Sequence, residues 1–161
     1  MRRAALALTA LLVVGADRIS KELVAGLLAT GSPVDIFGGS LRLIRSENRG
    51  GLFGLFQGSA PLLALLSMAV IVLLVFMHAR EGGTRPSLLT LSTGLLVGGA
   101  LGNLVDRLAN GFVFDFIDIG IGSTRFWTFN VADMAITSGI ALLVAQAAFG
   151  GVRNRVRAPH G

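Results

Sequence analysis

From Ala60 to Met77 the chain runs for eighteen residues without a charge. A bilayer's hydrocarbon core admits an apolar stretch of this kind as one span, for which about 20 residues suffice. No water reaches the backbone there, so the stretch must satisfy its own N–H and C=O groups as a helix. Three other stretches approach the same character. The chain therefore reads as an α-helical membrane protein with four transmembrane helices, at about 4–28, 60–77, 86–105 and 130–149, in a single integral-membrane domain over 1–161. Composition agrees, with 53% hydrophobic residues against 14% charged and a mean hydropathy of +0.74.

The first stretch is the least regular. Ala4–Ala16 follows Arg2-Arg3 and has the form of a secretory signal peptide. The apolar character resumes at Leu23–Ala29, beyond Asp17-Arg18 and Lys21-Glu22. A retained helix is expected, with its charged turn facing a protein interior. In the third stretch Gly94, Gly98 and Gly102 recur every four residues, a face of small residues suited to close helix packing.

Charge sets orientation. The net charge of +5 would suggest nucleic acid in a soluble protein, but here the cations gather at the ends of apolar segments. They read as topology signals, and no nucleic-acid partner is expected. Arg2, Arg3, Arg80, Arg85, Arg153, Arg155 and Arg157 fall on one side against Glu81 alone. By the positive-inside rule that side is cytoplasmic, with both termini. The connections 29–59 and 106–128 then face outward. Having no cysteine, the chain forms no disulfide, thiol nucleophile or Cys-based metal site. With only His78 and His160 besides, no His-rich zinc site is expected, and the acid–base chemistry of a carboxylate pair calls for no metal or organic cofactor.

The outward connections are not simple turns. Val34-Asp-Ile-Phe, then Gly38-Gly39, then the alternating Leu41-Arg-Leu-Ile-Arg45 fit two short strands. This predicts a small outward-facing β-cradle between helices 1 and 2. Gly50–Phe56 spaces Phe53 and Phe56 three apart, as in a short amphipathic helix at the interface and a candidate lid.

Polar residues cluster in four places. Asp17 and Lys21 share a helix face, as do Arg18 and Glu22, and either a satisfied ion pair or a functional role fits them. Ser46-Glu-Asn-Arg-Gly-Gly51 reads first as a turn. Gly99, Asn103 and Arg107 form one stripe with Asp106 beside it. That stripe is either a capped helix end or a polar face that binds a charged group, Gly99 leaving space. Asp115 and Asp133 flank one short connection, with Asn130, Asp133 and Thr137 on one face of the fourth helix. Alone, Asp133 could serve the helix dipole and Asp115 could be a loop acid. Together they suggest a carboxylate pair that shares one proton and activates a water.

The blocks Asp17-x-x-Ser-Lys21, Asn48-x-Gly-Gly-x-Phe53, Gly98-Gly-x-x-Gly-Asn-x-x-Asp-Arg107, Val113-x-Asp-Phe-Ile117 and Phe129-Asn-x-Ala-Asp133 resemble bacterial lipoprotein signal peptidase, also called signal peptidase II. Arg18, Ser20 and Leu52 depart from that family's usual Gln, Thr and Ala. The resemblance implies an aspartyl endopeptidase of the bacterial inner membrane, multi-pass, with its active site near the outer face. Its substrates would be diacylglyceryl-modified prolipoproteins, cleaved on the amino side of the lipid-bearing cysteine within membrane lipid. A monomer is compatible with this reading, and the sequence leaves the oligomeric state open. Asp115 and Asp133 would be catalytic. Asn103 and Arg107 would contact substrate, and Asp17, Lys21, Asn48, Gly50, Asn130 and Ala132 would support or line the site. Beside this stand two other readings from the residues: a small transporter whose ion path uses Asp17, Lys21, Asp106 and Asp133, and a structural membrane subunit.

Overall fold

The computed structural model describes residues 1–28, 32–50, 59–81 and 84–157, with side chains through 149. It contains four helices, α1 (Arg2–Leu27), α2 (Ala60–Arg80), α3 (Leu88–Asn110) and α4 (Val131–Arg157). Four strands join them, β1 (Val34–Asp35), β2 (Leu41–Asn48), β3 (Val113–Ile121) and β4 (Thr124–Arg125), as one antiparallel sheet in the order β1-β2-β3-β4. Phe53 and Phe56 lie outside the described residues.

Each predicted helix is present, with its boundaries shifted; α2, α3 and α4 run past their expected C-terminal ends. α2 continues to Arg80, whose cation sits at the favourable end of the helix dipole. α3 begins at Leu88 under a capping box between Ser87 and Thr90 and runs on to Asn110, ending at Gly111 with φ 76. The helix passes the expected end of the span at 105 and carries the polar pair Asp106-Arg107 within it. The helix continues because Asp106 turns inward to a buried partner, Lys21.

Among the described residues three helices are long and apolar enough to cross a membrane: α2, α3 and residues 131–149 of α4. The missing one is α1, whose cluster of Asp17, Arg18, Lys21 and Glu22 interrupts its apolar run. The most apolar window of α3 is 61% buried against 6% in α2 and 17% in α4, which makes α3 the central helix. Its glycines allow this. Gly94 and Gly98 abut α1 at Thr9, Ala10 and Val13. A Cβ on Gly102 would stand 2.8 Å from Asp17 Oδ2 and 3.2 Å from Ala132 Cβ. A side chain at these positions would push the helices apart and with them every polar contact described below.

The sheet corrects the sequence reading in two ways. It is not confined to the connection between α1 and α2, since β3 and β4 come from between α3 and α4. Ser46–Asn48, read first as a turn, belongs to β2. β2 pairs with β3 as Ser46↔Asp115 and Asn48↔Val113, with a register shift between Leu43 and Ser46.

Strand alternation sorts the sheet into two faces. One carries the rows Val34–Leu43–Ile117–Phe129 and Ile36–Leu41–Ile119–Phe126. The other carries the Asp35–Arg42–Asp118 row. Val24 and Leu28 at the end of α1 form a core cluster with Phe116, joined by Leu43, Phe114, Ile117 and Val131, and this cluster seats the sheet on the bundle.

Candidate active site

Asn130 lies immediately before α4 and is fully buried. Its side-chain oxygen accepts from Asp133 N at 2.9 Å, and its own backbone N–H donates to Asp133 Oδ2 at 3.2 Å. This reciprocal arrangement starts the helix and holds the Asp133 carboxylate over its first turn. The Asn130 amide Nδ2 donates to Asp115 Oδ1 at 2.7 Å. One asparagine therefore touches both aspartates.

The remaining oxygens are also held. Asn103 Nδ2 donates to Asp133 Oδ1 at 2.7 Å, and Asn103 Oδ1 accepts from Asn130 Nδ2 at 3.2 Å. Asn48 Nδ2 donates to Asp115 Oδ2 at 3.0 Å, while Asn48 Oδ1 accepts from Gly50 N at 3.1 Å. Arg107 donates to the Gly50 carbonyl at 3.3 Å and to the Asn103 carbonyl at 3.4 Å. Helices α3 and α4 and strands β2 and β3 thus each contribute a polar side chain, and three asparagines fix two carboxylates.

Asp115 is only 1% exposed. Burial, followed by the nearby negative charge of Asp133, raises its carboxyl to about 7, although the Asn48 and Asn130 bonds and the Lys21 charge pull the other way. It therefore holds a proton at near-neutral pH beside a second carboxyl.

A second polar layer lies behind the first. Lys21 donates to Asp17 Oδ2 at 2.7 Å and sits 2.7 Å from Asp106 Oδ2, all three side chains being buried. Asp17 Oδ1 accepts from Ala132 N at 2.9 Å, and Asp106 Oδ2 accepts from Phe114 N at 3.1 Å. Asp17 therefore holds the first turn of α4, which bears Asp133, and Asp106 holds the start of β3, which bears Asp115. These acids and Lys21 close on one another, which answers the ion-path reading: its proposed carriers are structural partners. Arg18 and Glu22 pair at 2.8 Å on the exposed side of α1.

One expectation is corrected. Gly99 opens no space for a bound group, because a Cβ there would fall onto the Ala132 carbonyl and 2.7 Å from Ile136. It lets α3 and α4 meet. Thr137 is exposed on α4.

Sequence reasoning missed one buried acid. Asp118 is held by Arg42 at 2.6 Å and by Arg125 at 2.8 Å. Burial alone would raise its carboxyl, but the bonds from Arg125 and Arg42 outweigh that and hold it low. Its sequence surroundings are silent about the distant Arg42.

The family model for signal peptidase (SPase) II covers residues 9–149. The chain belongs to the signal peptidase II family. It is 42% identical over 144 residues to the lipoprotein signal peptidase of Syntrophomonas wolfei, spanning 89% of this chain and 92% of that one. It is 36% identical to the lipoprotein signal peptidase of Halothermothrix orenii, over 83% of this chain and 88% of that one. A solved bacterial membrane enzyme shares the fold with a TM-score of 0.84 at 26% identity, covering 98% of this chain and 94% of the other.

Proposed function

We propose that this chain removes signal peptides from diacylglyceryl-modified prolipoproteins, cutting on the amino side of the lipid-bearing cysteine, with Asp115 and Asp133 as the catalytic pair. Family membership supports the peptidase activity and places the chain in the bacterial inner membrane. The observation that carries the assignment is Asn130, whose side chain bonds Asp115 while its backbone bonds Asp133.

The pair works with one proton between two carboxyls. The ionised carboxyl takes a proton from water, and the resulting hydroxide adds to the scissile carbonyl carbon. The protonated carboxyl gives its proton to the carbonyl oxygen, which leaves a neutral tetrahedral diol. Collapse returns that proton to its first carboxyl and breaks the C–N bond. The proton taken from water passes to the leaving nitrogen. The products are a carboxylic acid and a free amine, and the pair again holds one proton. General acid–base catalysis of this kind supplies about 10²–10⁴-fold. The titration belongs to the pair, so base and acid are not assigned separately.

Helices α1–α4 serve as four spans with both termini in the cytoplasm, and the sheet and the dyad face outward. A lipid-bearing substrate then reaches the dyad sideways from the outer leaflet. The charges of α1 fit this arrangement, because its inward pair is buried against α3 and its outward pair is near the end that carries the sheet.

Purified protein should shorten a diacylglyceryl-modified prolipoprotein and leave the unmodified precursor intact. Asp115→Asn and Asp133→Asn should each abolish cleavage without loss of helical structure. Near-normal processing by either variant would overturn the dyad.

A further inference from the structure

We propose that the end of the bundle away from the sheet binds a phosphate group, carried by a phospholipid headgroup or free in solution, in a cavity between the start of α1 and the end of α2. Arg2, Arg3, His78, Ala79 and Glu81 line this cavity, which holds about 120 Å³. Sites for drug-sized molecules hold about 300–1,000 Å³, so this one takes a single small group.

The His78 ring supplies a donor. The residue is 6% exposed, and Arg2 Nε donates to its Nε2 at 3.0 Å. A ring nitrogen that accepts carries no proton, so the neutral imidazole keeps its proton on Nδ1. Among the described residues Nδ1 is the one buried side-chain nitrogen or oxygen with no hydrogen-bond partner. A buried N–H left in that state is costly, and it calls for an acceptor from outside the chain.

Charge selects an anion as that acceptor. Arg2 is engaged by the end of α2: it donates to the carbonyls of His78 at 2.6 Å and Glu81 at 2.8 Å, and it pairs with the Glu81 carboxylate at 2.8 Å. That pair neutralises the one acid of the cavity wall and leaves the cation of Arg3. Arg80 and Arg85 add to the positive field nearby. Arg3 and Glu81 are exposed side chains, able to swing and admit an oxygen to Nδ1. A phosphate oxygen held between the ring N–H and the Arg3 guanidinium makes charge-assisted bonds to a group of matching sign.

Depth brings phosphate to the site. α2 has 21 residues, about 31 Å of helix at about 1.5 Å per residue. The hydrocarbon core is about 30 Å thick, so the His78 end of a spanning α2 lies at headgroup level. Basic pockets between transmembrane helices hold lipid headgroups in this way. The argument holds for either orientation of the bundle and is independent of the chemistry assigned to the aspartates.

His78 and His160 are the only histidines, so nitrogen NMR on a histidine-labelled chain carrying His160→Gln reports on His78 alone. The full-length protein is kept in a detergent free of phosphate. It is titrated with short-chain phosphatidylglycerol, with inorganic phosphate, and with diacylglycerol of the same chain length. Beforehand Nδ1 should read as protonated and Nε2 as an acceptor. Saturable movement of the Nδ1 signal with phosphatidylglycerol assigns the site to lipid, and movement with inorganic phosphate alone assigns it to free phosphate. Arg3→Gln, which leaves the bond from Arg2 to His78 in place, should weaken that binding about tenfold. An Nδ1 signal that neither phosphate source moves would overturn the proposal. So would equal movement with diacylglycerol, or a titration that Arg3→Gln leaves unchanged.

Discussion

Asn130 illustrates what a single buried side chain can do at this site. It caps α4, fixes Asp133 through the backbone and donates to Asp115. Its bond to Asp115 favours the ionised carboxyl, opposing the effects of burial and of Asp133. The pH dependence follows. With Asp115 raised to about 7, the proposed pair would keep its working proton below that pH and lose it above. Cleavage should fall on the alkaline side through an apparent pKa of about 7, read from a kcat/KM profile on a lipidated substrate. Asn130→Ala removes a contact that favours the charged form, so that limb should move to higher pH. The rate should also drop about 10²-fold, because the carboxyls lose their alignment. A rate loss with an unmoved limb would mean that Asn130 only supports the fold.

At the scale of elements, the second polar layer and the glycine contacts keep the first layer in place. Lys21 is the shared cation of Asp17 and Asp106, and Lys21→Met would strand two buried carboxylates. Breaking a buried pair from one side costs about 3–5 kcal/mol. The variant should therefore melt well below the parent in detergent, and adding Asp106→Asn should recover part of the loss. Gly99→Leu would place a side chain where the Ala132 carbonyl and Ile136 already stand. Overpacking of this type costs about 1–3 kcal/mol. Because the clash lies one residue from Asp133, activity should fall more than the melting temperature does. Parallel melting and cleavage assays on Gly99→Leu and Gly94→Leu, the latter crowded against Thr9 of α1, would show the difference.

At the scale of the whole molecule, the two ends of the bundle are chemically distinct. At one end Arg2 of α1 donates to the His78 ring at 3.0 Å and pairs with Glu81 at 2.8 Å, which ties α1 to the end of α2. At the other end are the sheet and both polar layers. The cysteine-free sequence makes the proposed orientation simple to test with single-cysteine variants in intact cells. Arg49→Cys should react with an impermeant maleimide added outside, and Arg85→Cys should react only after the membrane is opened. The reverse pattern would invert the topology.

Helices α2, α3 and α4 were legible in the sequence because a span declares itself in a long apolar run, as Ala60–Met77 does, whereas the charged turn of α1 interrupts its own. The glycine face of α3 and the inward pair Asp17–Lys21 were legible for the same reason, since helical periodicity is local. The aspartates stood out because hydrocarbon penalises charge, and the motif blocks pointed to the family. The tertiary structure decided which partner each polar group meets. Asp118 finds Arg42 seventy-six residues away, and Ala132 N finds Asp17 across 115 residues. Such bonds depend on how strands pair and how closely helices approach, and no short stretch of sequence encodes that. The same limit explains Ser46–Asn48. Read alone it suits a turn, and it is a strand only because β3 lies beside it and brings Asn48 to Asp115.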